Sequence, residues 1–424
     1  MAQAITPPRG MRDFLPAEKA ARERALGIIR TSYTAHGFDE IETPVMEDIE
    51  RLHSGLGGDN EKLSFSVLKR AIPGPELATA AANDDPQSLA DLGLRFDLTV
   101  PLARFYASHR AELPSVFRSI QIAPVWRAER PQKGRYRQFV QCDIDIIGEK
   151  SQLAEAEIIT ATLATLDALG LEGCTIRIND RRLLTEMLNV FGFGAAEHPQ
   201  VLITVDKLDK VGPDGVVAEL RERGATPEAV DALDAFFHRV TTLEFNPFGV
   251  RAITKALPHG VDEVLIAELA ALAEVVDPEL LVFDPFLVRG MGYYTGTIFE
   301  IAHPDFSFSL GGGGRYDGMI GRFLGQDVPA CGFSIGFERI VDLLQAEQIG
   351  LPDALLLLHE SDATPAQLLG LKTQLIAAGT RVRLERRTKN TKAQLDRAAA
   401  SGYITFAFVT SDTHDMADLT PKPL

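Results

Sequence analysis

Residues 138–148 read QFVQCDIDIIG, and the period of two in a strand places Gln141, Asp143 and Asp145 on one face and Cys142, Ile144 and Ile146 on the other. One amide and two carboxylates in a row can accept hydrogen bonds from an ammonium or other polar ligand, although the same alternation also fits an ordinary half-exposed antiparallel strand. The segment before it carries the opposite charge. Arg127, Arg130, Lys133, Arg135 and Arg137 fall within eleven residues broken by Pro131 and Gly134. That pattern predicts strand, tight turn, strand, a hairpin able to hold guanidinium forks for phosphate or carboxylate recognition. Arg289 in LVRGMGYY and Arg339 near the start of a helix over GFERIVDLLQAEQIG are further anion candidates, because free N–H groups at a helix N-terminus favour negative charge. Either arginine alone also fits a surface position. Tyr293 and Tyr294 are expected on opposite sides of a strand, as core filling or as a phenol read by a polar ligand.

Other chemistries find no support. GGGGRYDG (311–318) is not followed by GK[ST], and no G-x-G-x-x-G opens a helix after a strand, so a glycine phosphate cradle is not expected. The glycine run fits either close approach to a ligand or a sharp turn. H-E-x-x-H is absent, the histidines are scattered, and Cys142, Cys174 and Cys331 lack paired spacing, so no metal site is expected. Any phosphate chemistry must therefore rest on arginines.

The 424 residues carry 43 Lys+Arg against 59 Asp+Glu, a net charge of −16, with 45% hydrophobic and 24% charged residues. These fractions suit a globular protein of two to four domains and exclude collagen-like, coiled-coil and wholly disordered chains. No apolar run is long enough to span a bilayer, and MAQAITPPRGMRDF has no apolar signal core, so a cytoplasmic location without membrane association is expected. The acidic average argues against indiscriminate nucleic-acid binding but hides local structure. Residues 381–397 hold seven basic and two acidic residues, and 127–137 hold five basic and one acidic. Such islands suit anionic ligands met at defined places, or merely solvated faces.

These residues must be positioned by a mixture of elements. Helices are predicted over 16–36 and over 151–170, the latter with Ser151 as N-cap and Gly170 as stop. Strands are predicted at FDEIETPVM, QFVQCDIDIIG, TIRIND (175–180), FLVRGMGYY, TGTIFEIA and FSFSL, and LRFDLTVPLARF as a strand entering a helix. Residues 70–88 read as a loop, and about 182–280 as mostly helical. From 353 the order is strand, helix, strand, helix, strand, a small α/β unit.

In chain order PRGMRDFLP, GFDEIETP, RFDLTVPLARF, WRAERPQKGRYRQFVQCDIDIIG, RINDRRLL, DKLDKVGPDG, LVRGMGYYTGTIFE, GGGGRYDG and GFSIGFERI resemble the histidyl-tRNA synthetases, class II aminoacyl-tRNA synthetases, over about residues 7–342. The resemblance implies an α+β fold, an antiparallel sheet flanked by helices with an inserted helical subdomain and a small C-terminal α/β domain. It divides the chain into a first catalytic part (1–180), the insertion (181–280), a second catalytic part (281–348) and an anticodon-binding-like domain (353–424), shortened and without a final strand or helix.

The implied activity is activation of L-histidine with ATP and Mg2+, then transfer to the 3' end of tRNA(His) by a homodimer that pairs through GFDEIETP. Arg127 and Arg289 are the implied catalytic residues, holding the histidine carboxylate and the ATP α-phosphate. Asp97, Thr99, Gln141 and Asp145 are to receive the ammonium group, and Tyr294 and Tyr316, with Tyr293 beside them, the imidazole. Glu129 and Phe139 meet adenine, Arg135 and Arg339 the outer phosphates, and Arg130 and Gln132 the tRNA acceptor end. Gly292 stands where many members have Asp, and Asp97 and Asp145 where others have Glu. Two other expectations are a catalytically inactive paralogue, regulatory subunit of the ATP phosphoribosyltransferase of histidine biosynthesis, and an activating enzyme that loads something other than tRNA. Regulatory paralogues generally lack the anticodon domain and lose motif arginines, whereas this chain keeps Arg127, Arg135, Arg289, Arg339 and a basic tail.

Overall fold

The computed structural model describes residues 5–53, 63–131, 134–240, 247–289, 294–344 and 353–424. Its strands, in chain order, are β1 (Asp39–Glu40), β2 (Met46–Asp48), β3 (Phe65–Leu68), β4 (Ala90–Leu94), β5 (Phe117–Trp126), β6 (Gln138–Ile147), β7 (Thr175–Asp180), β8 (Leu281–Phe283), β9 (Thr297–His303), β10 (Phe306–Arg315) and β11 (Ala330–Ile335). Eight of them form one sheet in the order β1-β5-β6-β11-β10-β9-β7-β8, and β2-β4-β3 form a small second one. Within the large sheet only β1 with β5 and β7 with β8 run parallel.

The register of this sheet explains what its faces carry. Gln121, Asp143, Ser334, Gly312, Glu300 and Arg177 are successive partners across β5, β6, β11, β10, β9 and β7. Directly paired residues of antiparallel strands share a face, so this is one polar row. A neighbouring row runs Ser119, Asp145, Gly332, Gly314. The alternate residues Cys142, Ile144 and Ile146 are fully buried, and the helix Leu153–Ala168 packs against β6 and β11. The predicted alternation of residues 138–148 is thus a two-sided strand whose polar side is also buried, rather than half-exposed.

Several elements differ from expectation for local reasons. The helix after β6 begins at Leu153; the Ser151 N–H and hydroxyl donate to Glu149, while the same hydroxyl accepts from the Leu153 N–H at 3.4 Å. Residues 70–88 are not a loop: Gly74–Ala82 is helical, entered through Pro73 and Pro75, and Pro86–Leu89 forms a 3-10 turn capped by Asp85. FDEIETPVM yields only the short strands β1 and β2, split around Pro44. Gly311–Gly314 lie inside β10 rather than in a turn. The described residues of FLVRGMGYY are not strand, and Tyr293 and Gly292 lie outside the described residues.

Packing divides the chain into two compact units, Met1–Met11 with Ile29–Ile340, and Arg12–Ile28 with Val341–Leu424. The helices from Arg181–Phe191 to Glu263–Ala270 belong to the first. Arg181–Phe191 is amphipathic, burying Leu183, Leu184, Met187 and Leu188, and ends at Gly192 in the left-handed conformation, φ 96°.

In the second unit β12 (Ala354–His359), β13 (Arg381–Arg386) and β14 (Thr405–Val409) are parallel, and β15 (Lys422–Pro423) adds antiparallel to β14. Leu355 and Leu357 pack with Leu368, Leu371 and Leu375 on one side, Leu356 and Leu358 with Ala398 and Tyr403 on the other. Burial on both faces is why β12 reads as a continuous apolar run. The domain is expected to end without a final strand, but β15 supplies one, two residues long.

Candidate active site

A cleft of roughly 370 Å³ opens over the polar rows of the large sheet. Its floor is β6, β10 and β11, where small residues leave room for a ligand. Gly332 is one such place, because a Cβ there would come within 1.9 Å of Asp145 Oδ1. Gly312 is another: a Cβ would lie 2.7 Å from the Arg289 guanidinium carbon. Within the glycine run Gly312 is thus kept bare so that Arg289 can lie across the strand, whereas a Cβ at Gly313 would meet the Gly332 carbonyl oxygen at 2.0 Å.

The acceptor end of the cleft holds three buried carboxylates. Asp145 accepts a 2.5 Å hydrogen bond from the Tyr316 hydroxyl. Burial lifts its pKa to about 7, a rise that the Tyr316 bond opposes and the Asp97 charge reinforces. Asp143 lies well above the usual carboxylate range through burial and the nearby Asp145 charge, with the Ser334 hydroxyl acting against the rise. Asp97 is raised by burial and held back by Arg127 and by the backbone N–H groups of Val100 and Thr99, at the start of the helix Thr99–His109. Since Tyr316 gives its proton to Asp145, its oxygen meets a ligand as an acceptor. Gln141 donates from Nε2 to Ser334 Oγ at 3.1 Å and to both Asp143 oxygens at 3.4 and 3.5 Å.

The opposite end is cationic. Arg127 is fixed by Nε donation to the Phe96 carbonyl at 2.9 Å, and its guanidinium sits 5.0 Å from the centre of the Phe139 ring. Arg135 approaches Glu129 at 3.8 Å. Arg289 donates from Nε to Glu300 at 2.7 Å and from Nη2 to the Ser309 hydroxyl at 3.0 Å. Arg339 donates to the Ser309 carbonyl and lies over Phe308, and burial, then the Arg135 and Arg289 charges, lower its pKa. A like-charge cluster that depresses an arginine is a site awaiting negative charge.

Asp97, Thr99, Arg127, Glu129, Arg135, Phe139, Gln141, Asp145, Arg289, Tyr294, Tyr316 and Arg339 all line this cleft. Arg130 does not; it is exposed outside it. Gln132 and Tyr293 lie outside the described residues. The arginines of 127–137 follow β5 on a connection rather than standing on hairpin strands, closed by the Arg127 N–H bonding the Arg137 carbonyl and by Gly134 at φ 74°. The resemblance assigns no role to Asp143, Ser309, Glu300, Ser334 or Glu338, although Asp143 already stood with Gln141 on the period-two face of acceptors. Ser334 and Glu300 gain meaning only from cross-strand register, and Ser309 from its bond to Arg289.

The family model described as Histidyl-tRNA synthetase matches residues 10–340. A relative named histidine-tRNA ligase, from Leifsonia xyli subsp. xyli, is 63% identical over 100% of this chain and 99% of its own length. The crystal structure of histidyl-tRNA synthetase from Nostoc sp. PCC 7120 superposes with a TM-score of 0.74 at 26% identity, covering 97% of this chain and 92% of that one. A Bacillus halodurans structure titled as an ATP phosphoribosyltransferase regulatory subunit/histidyl-tRNA synthetase reaches the same TM-score of 0.74 at 21% identity, covering 97% and 99%, a likeness of fold alone.

Proposed function

The chain belongs to the histidyl-tRNA synthetase family, and from that membership and the cleft we propose that it activates L-histidine with ATP and transfers it to the 3' end of tRNA(His). The carrying observation is one cleft with buried carboxylates and Gln141 at one end and Arg127, Arg135, Arg289 and Arg339 at the other. A zwitterionic amino acid and a polyphosphate together require that arrangement. The histidine ammonium group lies among Asp97, Thr99, Gln141 and Asp145. Its imidazole N–H meets Tyr316, with Tyr294 alongside and Tyr293 in the same role. Phe139, one face of which carries Arg127, offers the other to adenine, and Glu129 lies on the adenine side.

The histidine carboxylate is ionised at neutral pH, so no general base is needed. One carboxylate oxygen bonds to the α-phosphorus as the bond from that phosphorus to the bridging oxygen breaks, and the electron pair leaves with pyrophosphate. Arg127 and Arg289 hold the carboxylate and the α-phosphate, and Arg135 and Arg339 the outer phosphates, where charge accumulates. A ribose hydroxyl of the tRNA then attacks the adenylate carbonyl and displaces AMP, with Arg130 and Gln132 on the acceptor-end side. Among the described residues no three acidic, His or Cys side chains form a metal cage. Mg2+ entering with ATP would supply charge neutralisation on the phosphates beside Arg135 and Arg339.

Residues 1–180 and 281–348 serve activation, 181–280 is the insertion, and 353–424 binds the tRNA. In the last, Arg381 and Arg383 lie 4.9 and 4.5 Å from the ring centre of the buried Tyr403, and Arg387 lies 4.9 Å from that of Phe408, so aromatic rings fix three guanidinium groups that suit a phosphate backbone. The exposed apolar side chains Val45, Met46, Leu68 and Leu92 around the small sheet favour a homodimer built near 37–44. Among the described residues no helix is long and apolar enough to cross a membrane, and the family's activity supports a cytoplasmic location.

The test is histidine-dependent exchange of pyrophosphate into ATP. Exchange is expected; none at saturating histidine and Mg2+ would leave the regulatory paralogue as the better reading. Replacing Arg383 and Arg387 by Ala should leave exchange unchanged and raise the KM for tRNA by roughly tenfold; an unchanged KM removes that unit from tRNA binding.

A further inference from the structure

Gln141 is 8% exposed, and its Oε1 has no hydrogen-bond partner among the described residues although its Nε2 has three contacts. A buried amide satisfied on one side only is oriented, and something must orient it. The register identifies that something. Asp143 is two residues away on the same face of β6, and Ser334 is its direct partner on β11. The residue opposite Asp143 on the other side, Gln121, is turned away: its Nε2 donates to the Leu98 carbonyl at 3.1 Å, and its Oε1 accepts from Thr43 Oγ1 at 3.4 Å. Asp143 therefore finds its side-chain donors in Gln141 and Ser334. With Asp143 ionised, turning the Gln141 amide over would set Oε1 against the Asp143 oxygens, acceptor against acceptor.

We propose that Asp143, with Ser334, is a positioning residue that locks the Gln141 amide with its oxygen toward the ligand, and that this lock makes the cleft select a substrate carrying an ammonium group. The inference rests on the reading of Gln141 as an ammonium acceptor. Asp143 lines the cleft, but in this reading it acts through Gln141, deciding which end of that amide meets the ammonium group. An unlocked amide would present N–H donors to a cation half the time.

The test compares binding of histidine with binding of imidazolepropionate, which is histidine without its amino group, by calorimetry on the full-length protein. Asp143→Asn offers Gln141 an N–H as well as an oxygen and so permits the turned amide. It should weaken histidine by roughly tenfold to hundredfold and leave imidazolepropionate within about twofold. Ser334→Ala should show the same selective loss on a smaller scale, and Ser334→Thr should restore it. In a Gln141→Glu background the side chain is an acceptor either way up, so the effect of Asp143→Asn should vanish. If Asp143→Asn weakens both ligands equally or neither, the lock is overturned. If its effect persists undiminished in Gln141→Glu, Asp143 acts through its own charge and the lock is likewise overturned. The ratio is read without turnover, so failure of pyrophosphate exchange counts against the proposed reaction and leaves this result standing by itself.

Discussion

Two arginine–carboxylate pairs on the large sheet use the same chemistry for opposite ends. Arg315, at the end of β10, donates from Nε and Nη2 to the two oxygens of Glu155 at 2.7 and 2.6 Å, and reaches the carbonyls of Ser151 and Glu149 and the carboxylate of Asp317. The pair is almost closed to water, with side chains 10% and 1% exposed. Arg289 donates to Glu300 and Ser309, and its side chain remains 34% exposed along the cleft wall. A buried guanidinium matched on every side ties a strand to a helix and has nothing left for a ligand. One anchored on two sides and facing a cleft has a fixed position and charge to spend on a substrate. The difference lies in what surrounds each arginine, since the residue type is the same.

That contrast can be broken by experiment. Arg289→Ala should lower pyrophosphate exchange by on the order of a hundredfold to a thousandfold with little change in melting temperature; preserved exchange, or a collapsed fold, would erase the distinction. Arg315→Ala strands the buried Glu155 charge and should cost about 3–5 kcal/mol of stability. Denaturant unfolding reads that loss, and a stability change under 1 kcal/mol would mean the pair is not structural.

The smallest expected effect is a pH dependence confined to the cleft. Asp145, raised to about 7 by burial, holds a proton in the folded protein that the unfolded chain releases. Its burial therefore weakens the empty protein progressively as pH rises from about 4 toward 7. An ammonium ligand favours the ionised form, so histidine binding expels a proton and the KM for histidine should rise a few-fold as pH falls through about 7. Asp145→Asn should flatten the component of that profile which the titration of free histidine does not explain. An identical profile in the variant would show that Asp145 stays ionised throughout.

Much of this site was readable one residue at a time. Alternation placed Gln141, Asp143 and Asp145 together, and the motifs around Arg127, Arg289, Tyr316 and Arg339 carried a family resemblance strong enough to assign roles. Alternation could not rank the three acceptors, however, because a period of two is blind to the neighbouring strand. Asp143 looked like its neighbours until Ser334 appeared opposite it and Gln121 was found turned away. GGGG was ambiguous for the same reason: a glycine run in a strand and one in a turn differ only in what crosses them, and here it is Arg289. Residues 70–88 misled because prolines and Asp residues that read as loop also serve helix starts and caps.

By itself the sequence determined the kinds of element, the periodicity of their faces, the family and the inventory of charged groups, all local or ordered along one chain. The tertiary structure decided which of those groups meet, because hydrogen-bond register joins residues nearly two hundred positions apart, as Asp143 and Ser334 are. Burial decided the rest: it separates an arginine that holds the fold from one that faces the cleft, and lifts Asp145 into the range where its proton can respond to a ligand.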